Sequence, residues 1–465
     1  MPQDVPRKSA EIITEQHAQS FPIASESRLE PIQPKIGFLT IVSPYEVGAD
    51  NAGNLQTQAI EALSSIGLQI ASAKKPIQSD EEAIHAVREL INQQPDALCM
   101  LYATYADDTF ATSAIEQSDL PPIIWGTNQF DSGSIAGAQQ VSEILSEMGR
   151  YCKLVYGDVT DEKTLLEIAA SSRVAAARRR LRGSRIGVIG YQRIKGQTQA
   201  AFDEIELREK VGCRIVGVSM HLFRTLMEEA DKTKCREVWQ HVSNGVKRIS
   251  VNDGQVVDGV SAYLAMKRIV EDNKLDAIAI EDWNEIIGIP NLGLSLLNEE
   301  GIPAGCEADV HATVTLQLLA LLTGKPAFHG ELLGILKDED ALLVAHYGAG
   351  APSLATSRDL ISLEPDRASG KGVSVVYQVR PGPVTVASLT GRRGSYRMLI
   401  APGESIEAKE VFHDGIVANV KFRVNHREVL QKAKGMSHHW MLGVGDVSTE
   451  LSEFCEMTGI RAVIV

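Results

Sequence analysis

No CxxC pair occurs anywhere in the 465 residues, and the six cysteines (Cys99, Cys152, Cys213, Cys235, Cys306 and Cys455) lie scattered among apolar or helical stretches. This argues against a disulfide scaffold and for a reduced, intracellular protein. Also missing is any run of about 18 apolar residues, so no membrane span is expected. The opening MPQDVPRKSAEIITEQ has no apolar core of the kind a secretion signal needs. Positive charge is in short supply: 46 Lys and Arg against 60 Asp and Glu leave a net charge of −14. A nucleic-acid or anionic-membrane partner calls for a basic face and is not expected. What remains is a cytoplasmic enzyme or binding protein that takes a small molecule.

Hydrophobic residues make up 44% of the chain and charged residues 23%, an ordinary globular balance. The length suggests about three domains. Residues 1–33 are polar and proline-punctuated and read as an N-terminal arm. From residue 35, short apolar runs (KIGFLTIVS, LQIASA, DALCMLYA, PIIWGT) alternate with amphipathic stretches. That alternation predicts parallel strands with helices on both faces. A long helix, EKTLLEIAASSRVAAARRRLRG, closes this first α/β domain at residue 183. Its arginines alternate with Ala, Val and Leu and read as a solvated or carboxylate-paired face rather than a nucleic-acid patch.

The pattern restarts with SRIGVIGY, a helix over about 198–211, CRIVGVS and LDAIAIED, giving a second doubly wound domain over 184–345. The remainder, 346–465, alternates apolar and polar residues between Gly and Pro, as antiparallel strands and hairpins do, and suggests a small barrel. The expected class is therefore α/β: two doubly wound parallel-sheet domains followed by a C-terminal, mainly antiparallel β domain.

Three places carry polar residues that the fold alone does not require. EDWNE (281–285) follows a buried strand, and in open α/β sheets the C-terminal strand ends face the ligand crevice. In GCEADVHATVTLQLLALL, Glu307 and Asp309 precede an apolar helix, where Asp can serve as cap or as metal ligand. HHWMLGVGD places His438 and His439 side by side; neutral imidazole together with carboxylates suits Mn, Fe, Co or Zn. Gly348 and Gly350 lack the lysine and helix of a phosphate loop.

EDWNE, GIPAGCEADVHATVTLQLLALLTGKPAF, AHYGAGAPSLA, PGPVTVASL and HHWMLGVGD, in this order, resemble the L-fucose/L-arabinose isomerase superfamily, most closely its L-fucose isomerase-like branch. The resemblance spans roughly residues 35–465. It implies a metal-dependent aldose–ketose isomerase acting on a pentose, deoxyhexose or modified hexose through an ene-diol, with Mn²⁺ as cofactor and a trimeric or hexameric homo-oligomer as the assembly. Carried over by position, the metal ligands would be Glu285, Asp309 and His439, with Glu285 and Asp309 also the acid/base pair and Glu307 a supporting or capping group. Trp283, Asn284, His438, Trp440, His346 and Ser353 would contact the sugar. Trp125, Asn128 and Gln129 would form a cross-subunit wall, and Arg193 or Arg392 would matter for a charged sugar. The related arabinose isomerases use four ligands including one more histidine; His329 and Glu331 in PAFHGEL stand nearby, and the three-ligand set is the expectation. A non-catalytic sugar-binding or sensing protein on the same fold is the alternative.

Overall fold

Strands β1 (Lys35–Ile41), β2 (Gln69–Ser72), β3 (Ala97–Tyr102), β4 (Pro122–Gly126) and β5 (Lys153–Tyr156) form one wholly parallel sheet in the order β2-β1-β3-β4-β5. A computed structural model, describing residues 29–128, 131–190, 197–283, 285–407 and 415–465, gives this architecture. All six residues of β3 are buried, as continuous apolar runs require when helices cover both faces of a sheet. The helices between the strands, such as Asp80–Ile91 with Ser79 capping the Glu82 N–H, fall where the amphipathic periods predict them. β5 is a strand that the apolar pattern did not reveal, because only Val155 of its four residues is buried.

The second sheet is again wholly parallel, β10-β9-β6-β7, from β6 (Arg185–Ile189), β7 (Arg214–Val218), β9 (Ala277–Ile280) and β10 (Ala304–Gly305). The helix expected over 198–211 is shorter: a 3₁₀ turn at Thr198–Ala200 precedes Glu204–Lys210, which Asp203 caps. The two-residue β8 (Arg248–Ile249) leaves this sheet and pairs with β13 (Ser362–Glu364).

β11 (Phe328–Leu336), β12 (Ala341–His346), β14 (Ser374–Gln378), β15 (Gly382–Thr390), β16 (Arg397–Ile406), β17 (Ile416–Phe422), β18 (His439–Val444) and β19 (Arg461–Ile464) complete the third sheet. β16, β15, β18, β11, β12 and β17 are antiparallel neighbours, and β17 returns to β16, so these six strands close a barrel. Closure removes the unpaired edges that a mainly antiparallel sheet would otherwise expose. Leu342, Val344, Val386, Ala401, Ala418, Trp440 and Leu442 belong to the largest core cluster. The alternate residues Ala387, Leu389, Met398, Ile400 and Met441 pack in a second cluster with the helix Val310–Thr323. That helix also meets Val174, Ala177 and Leu181 of the helix Glu162–Gly183. Buried from Val310 to Ala320, it is enclosed on every side because it lies between the barrel and the α/β layers. Among the described residues, no helix is long and apolar enough to cross a membrane.

Candidate metal centre

β9 and β10 are parallel neighbours, and the residues that follow their C-terminal ends contact one another and His329 and His346 of the barrel strands. After β10 the chain runs Cys306, Glu307, Ala308, Asp309. Glu307 and Ala308 both adopt positive φ, 58° and 51°. Two consecutive non-glycine residues in the left-handed region cost on the order of 1–3 kcal/mol each and need support. It is supplied by the Glu307 N–H donating to Asp282 Oδ1 at 2.8 Å and the Ala308 N–H donating to the Ile280 carbonyl at 2.9 Å. This kink turns Glu307 away from the helix and leaves Asp309 as its N-cap.

Asp309 divides its oxygens between two tasks. Oδ1 accepts the Ala312 N–H at 3.0 Å, while Oδ2 lies 2.7 Å from His439 Nδ1. An ionised carboxylate accepts, so His439 donates from Nδ1 and turns Nε2 toward Glu307 Oε2 at 3.3 Å and Glu331 Oε1 at 3.7 Å. His439 begins β18 directly opposite Glu331 on β11, so the barrel's register sets this pair. Glu331 Oε1 also lies 3.5 Å from His346 Nε2 and 3.9 Å from His438 Nε2. His346 ends β12, with Nδ1 3.6 Å from Cys306 Sγ. His329 accepts the Cys306 N–H on Nδ1 at 3.3 Å, and its ring lies 4.5 Å from that of His439.

Electrostatics follow from this crowding. Burial opposes charge on His439, yet the hydrogen bond to Asp309 and the nearby carboxylates of Glu307 and Glu331 hold its pKa well above the ordinary imidazole value. Burial likewise raises Glu307, but His439 outweighs it and the carboxyl ends below its usual range. Glu331, with burial opposed by His346 and His439, is also lowered. Asp282 is pushed up to about 7 by burial and by the neighbouring Glu307 charge. Glu307 Oε2, His329 Nε2, His346 Nε2 and His439 Nε2 are buried without a hydrogen-bond partner. Four orphaned polar atoms in one place are costly unless something else satisfies them. Glu307, Glu331, His438 and His439 form one group whose ligand atoms lie within 4.8 Å of one another, and His329, His346 and His439 another. Two carboxylates and imidazoles are the donor set of a divalent transition cation, so the residues present fit such a metal.

Of the residues anticipated from sequence, His439, His438 and His346 meet in this cluster, and Asp309 stands behind His439 rather than beside the orphaned atoms. Glu285 is not brought there: its side chain is 76% exposed and paired with Arg224. The reason is local, because β9 ends at Ile280 and the chain turns outward after Asp282, so Asp282 rather than Glu285 lies under the kink. Glu307, not Glu285, lies in this cluster. Trp283 is 40% exposed. Trp440 is a core residue: it is 1% exposed, stacks edge-on to Phe422, and donates Nε1 to the Ser437 carbonyl. Ser353 sits in the 3₁₀ turn Pro352–Leu354, donates its N–H to Glu299 and is not part of the cluster. Trp125 is fully buried and donates Nε1 to the Gly157 carbonyl, so it forms no wall, whereas Asn128 is exposed. Arg392 donates to the Thr198 carbonyl. Asn284, Gln129, Arg193 and most of the N-terminal arm lie outside the described residues.

Glu307, Glu331 and His329 are the residues that sequence reasoning underrated. Signals existed: only one of two carboxylates can cap a helix, which frees Glu307, and His329 and Glu331 are two apart on a strand and so share a face.

Residues 333–461 match the model of the L-arabinose isomerase C-terminal domain, a span that includes His346, His438 and His439. Over longer stretches the chain is similar to sulfoquinovose isomerases. It is 24% identical to that of Priestia megaterium, over 85% of this chain and 91% of the relative, and 22% identical to that of Alkalicoccus urumqiensis, over 83% and 90%. An L-arabinose isomerase from Nocardioides is 22% identical over 71% of this chain and 69% of its own. The matched domain covers residues 333–461 only, and each of these relatives is a sugar isomerase by name.

Proposed function

We propose that the chain interconverts an aldose and a ketose at a divalent cation held by Glu307, Glu331, His346 and His439. The observation that carries this reading is that three buried atoms without a hydrogen-bond partner, Glu307 Oε2, His346 Nε2 and His439 Nε2, come from the turn after β10, from β12 and from β18, and that Glu331 Oε1 of β11 lies 3.5 Å from His346 Nε2 and 3.7 Å from His439 Nε2. The donor set of two carboxylates and two imidazoles suits Mn, Fe, Co or Zn, and Mn²⁺ is the cation we assign, on the resemblance of the motifs to the isomerase family. When bound, it would offset the negative charge that develops on O1 and O2 as a carbon-bound proton leaves.

The chain's own residues do the rest. Glu307 and Glu331 are the carboxylates of the pocket, and we assign them the transfer of the proton between C1 and C2. Asp282, whose carboxyl is poised near 7, fixes the Glu307 backbone and so its direction. Asp309 holds the His439 ring in the orientation that aims Nε2 inward. His438 lies at the rim, its side chain 41% exposed, where a sugar hydroxyl can reach it.

For substrate, the names of the relatives favour a sulfonated hexose, sulfoquinovose, as the first candidate and L-arabinose as the second. An L-fucose-type deoxyhexose is the third, from the resemblance of the motifs. A trimer or hexamer and a cytoplasmic location belong to the same reading. The test is to strip the protein with chelator, add back Mn²⁺ and follow ketose formation from these three sugars. Turnover that needs Mn²⁺ and falls at least about a hundredfold in Glu307→Gln and in Glu331→Gln, while Glu285→Gln stays within about twofold, is the expected result. Equal loss in Glu285→Gln and none in Glu307→Gln would return the site to the EDWNE loop.

A further inference from the structure

The three buried imidazoles around Glu331 are not equivalent, and what touches each Nδ1 sets the difference. His439 Nδ1 faces a carboxylate oxygen, Asp309 Oδ2, at 2.7 Å. In the neutral ring, the form a cation binds, Nδ1 therefore carries the hydrogen and Nε2 the lone pair. His346 Nδ1 faces Cys306 Sγ at 3.6 Å, a thiol that can accept as well as donate, so this contact is compatible with a free lone pair on Nε2. His329 is reversed. Its Nδ1 meets the backbone N–H of Cys306 at 3.3 Å, and a backbone amide only donates. A neutral imidazole whose Nδ1 accepts carries its proton on Nε2. His329 Nε2 is buried and without a partner, on a residue of 0% exposure whose ring lies 4.5 Å from that of His439 and 5.1 Å from that of His346.

We infer that His329 is not a ligand of the cation but a neutral Nε2–H donor built into the pocket, there to hold an oxygen of the bound sugar. A cation needs a lone pair, and on His329 that lone pair is already engaged by the peptide of Cys306. Cys306 thus sorts two neighbouring imidazoles by means of two different atoms. Its N–H makes His329 a donor, whereas its sulfur, able to donate or accept, permits His346 to ligate. The sugar's role in this inference rests on the proposed isomerase function; the assignment of donor and ligand does not.

The experiment titrates Mn²⁺ by calorimetry into the metal-free full chain, as wild type, His329→Gln and His346→Gln. His346→Gln is expected to weaken Mn²⁺ at least about tenfold and His329→Gln to leave it within about threefold. A loss in His329→Gln equal to that in His346→Gln overturns the inference. On the Mn²⁺-loaded protein, the open-chain polyol L-arabinitol is expected to bind about five- to tenfold more weakly to His329→Leu and nearly normally to His329→Gln, whose amide can still donate. Equal weakening in both overturns the donor role. If the wild type takes up no Mn²⁺, the isomerase reading fails by itself. The tautomer is then read from ¹⁵N-histidine NMR of the metal-free protein, with the His329 signal identified by its loss in His329→Gln. A protonated Nε2 supports the inference and a protonated Nδ1 overturns it, whichever sugar binds.

Discussion

Asp309 shows how one side chain can be both of the things its sequence position allows. As N-cap it satisfies the Ala312 N–H, and as His439's partner it fixes an imidazole that must aim into the site. The two roles separate by substitution. Asp309→Asn keeps a capping oxygen but loses the ionised acceptor, so Mn²⁺ affinity is expected to fall about 10- to 100-fold with little change in the urea midpoint. Asp309→Ala is expected to lose the same affinity and a further ~1 kcal/mol of stability from the missing cap. Calorimetry and urea unfolding on the two variants check this; equal Mn²⁺ affinity in Asp309→Asn and wild type would remove Asp309 from the site. At this scale the sequence named His439, His438, His346 and Asp309 as chemistry-bearing. It could not rank Glu307 against Glu285, because both follow a strand by only a few residues. The backbone kink at Glu307 and Ala308 places Glu307 in the cluster, while Glu285 is exposed and paired with Arg224, which is why we propose Glu307.

Among the elements, β11 carries the most consequence, since His329 and Glu331 flank Gly330 on it. A Cβ at Gly330 would stand 2.4 Å from Val344 Cγ1 and 3.1 Å from the Trp440 carbonyl oxygen. Neighbouring strands at that separation leave no room for a methyl group. Gly330→Ala is expected to destabilise by about 1–3 kcal/mol and to weaken Mn²⁺ binding by displacing Glu331. Gly334, on the same strand, has its nearest neighbour atoms at 3.5 Å, so Gly334→Ala serves as the near-neutral control. Urea midpoints of the two variants test the difference; similar losses in both would mean a general dislike of side chains on β11. The strand's alternation was readable from sequence, but its pairing with β18 was not. β18 lies over a hundred residues further on, and nothing local records which strand completes the barrel.

Across the whole molecule, the first α/β layer is tied to the C-terminal helix Ser448–Thr458 by a buried carboxylate. Glu453 accepts from Tyr151 Oη at 2.6 Å and from Ser171, and lies 3.8 Å from Lys153 Nζ. Burial and the Glu453 charge push the Tyr151 phenol above its ordinary value of 10.0. Lys153 is opposed by burial, but Glu167 and Glu453 outweigh it and raise its pKa above 10.5. Both groups hold their protons longer in the folded chain than in the unfolded one. Their contribution is therefore complete below about pH 10 and is lost as pH rises past the unfolded values toward the folded ones. The urea midpoint is expected to fall between about pH 9.5 and 11, and less steeply in Glu453→Gln. A midpoint that declines identically in both proteins would show that this junction does not carry the alkaline sensitivity.

By itself the sequence determined the α/β class, the parallel character of the first two sheets and the antiparallel character of the third. Those properties rest on local periodicity: continuous apolar runs for strands buried on both faces, alternation for strands buried on one. It also pointed to a few short segments as candidates for the chemistry, because carboxylates and histidines next to apolar runs are conspicuous. Only the tertiary structure decided that β16 and β17 meet to close a barrel, that Glu331 faces His439 across two strands, and that Cys306 touches two imidazoles through different atoms. Each of these is a meeting of residues distant in the chain. The free energy that selects such a meeting comes from packing and desolvation over the whole fold, which no single segment encodes.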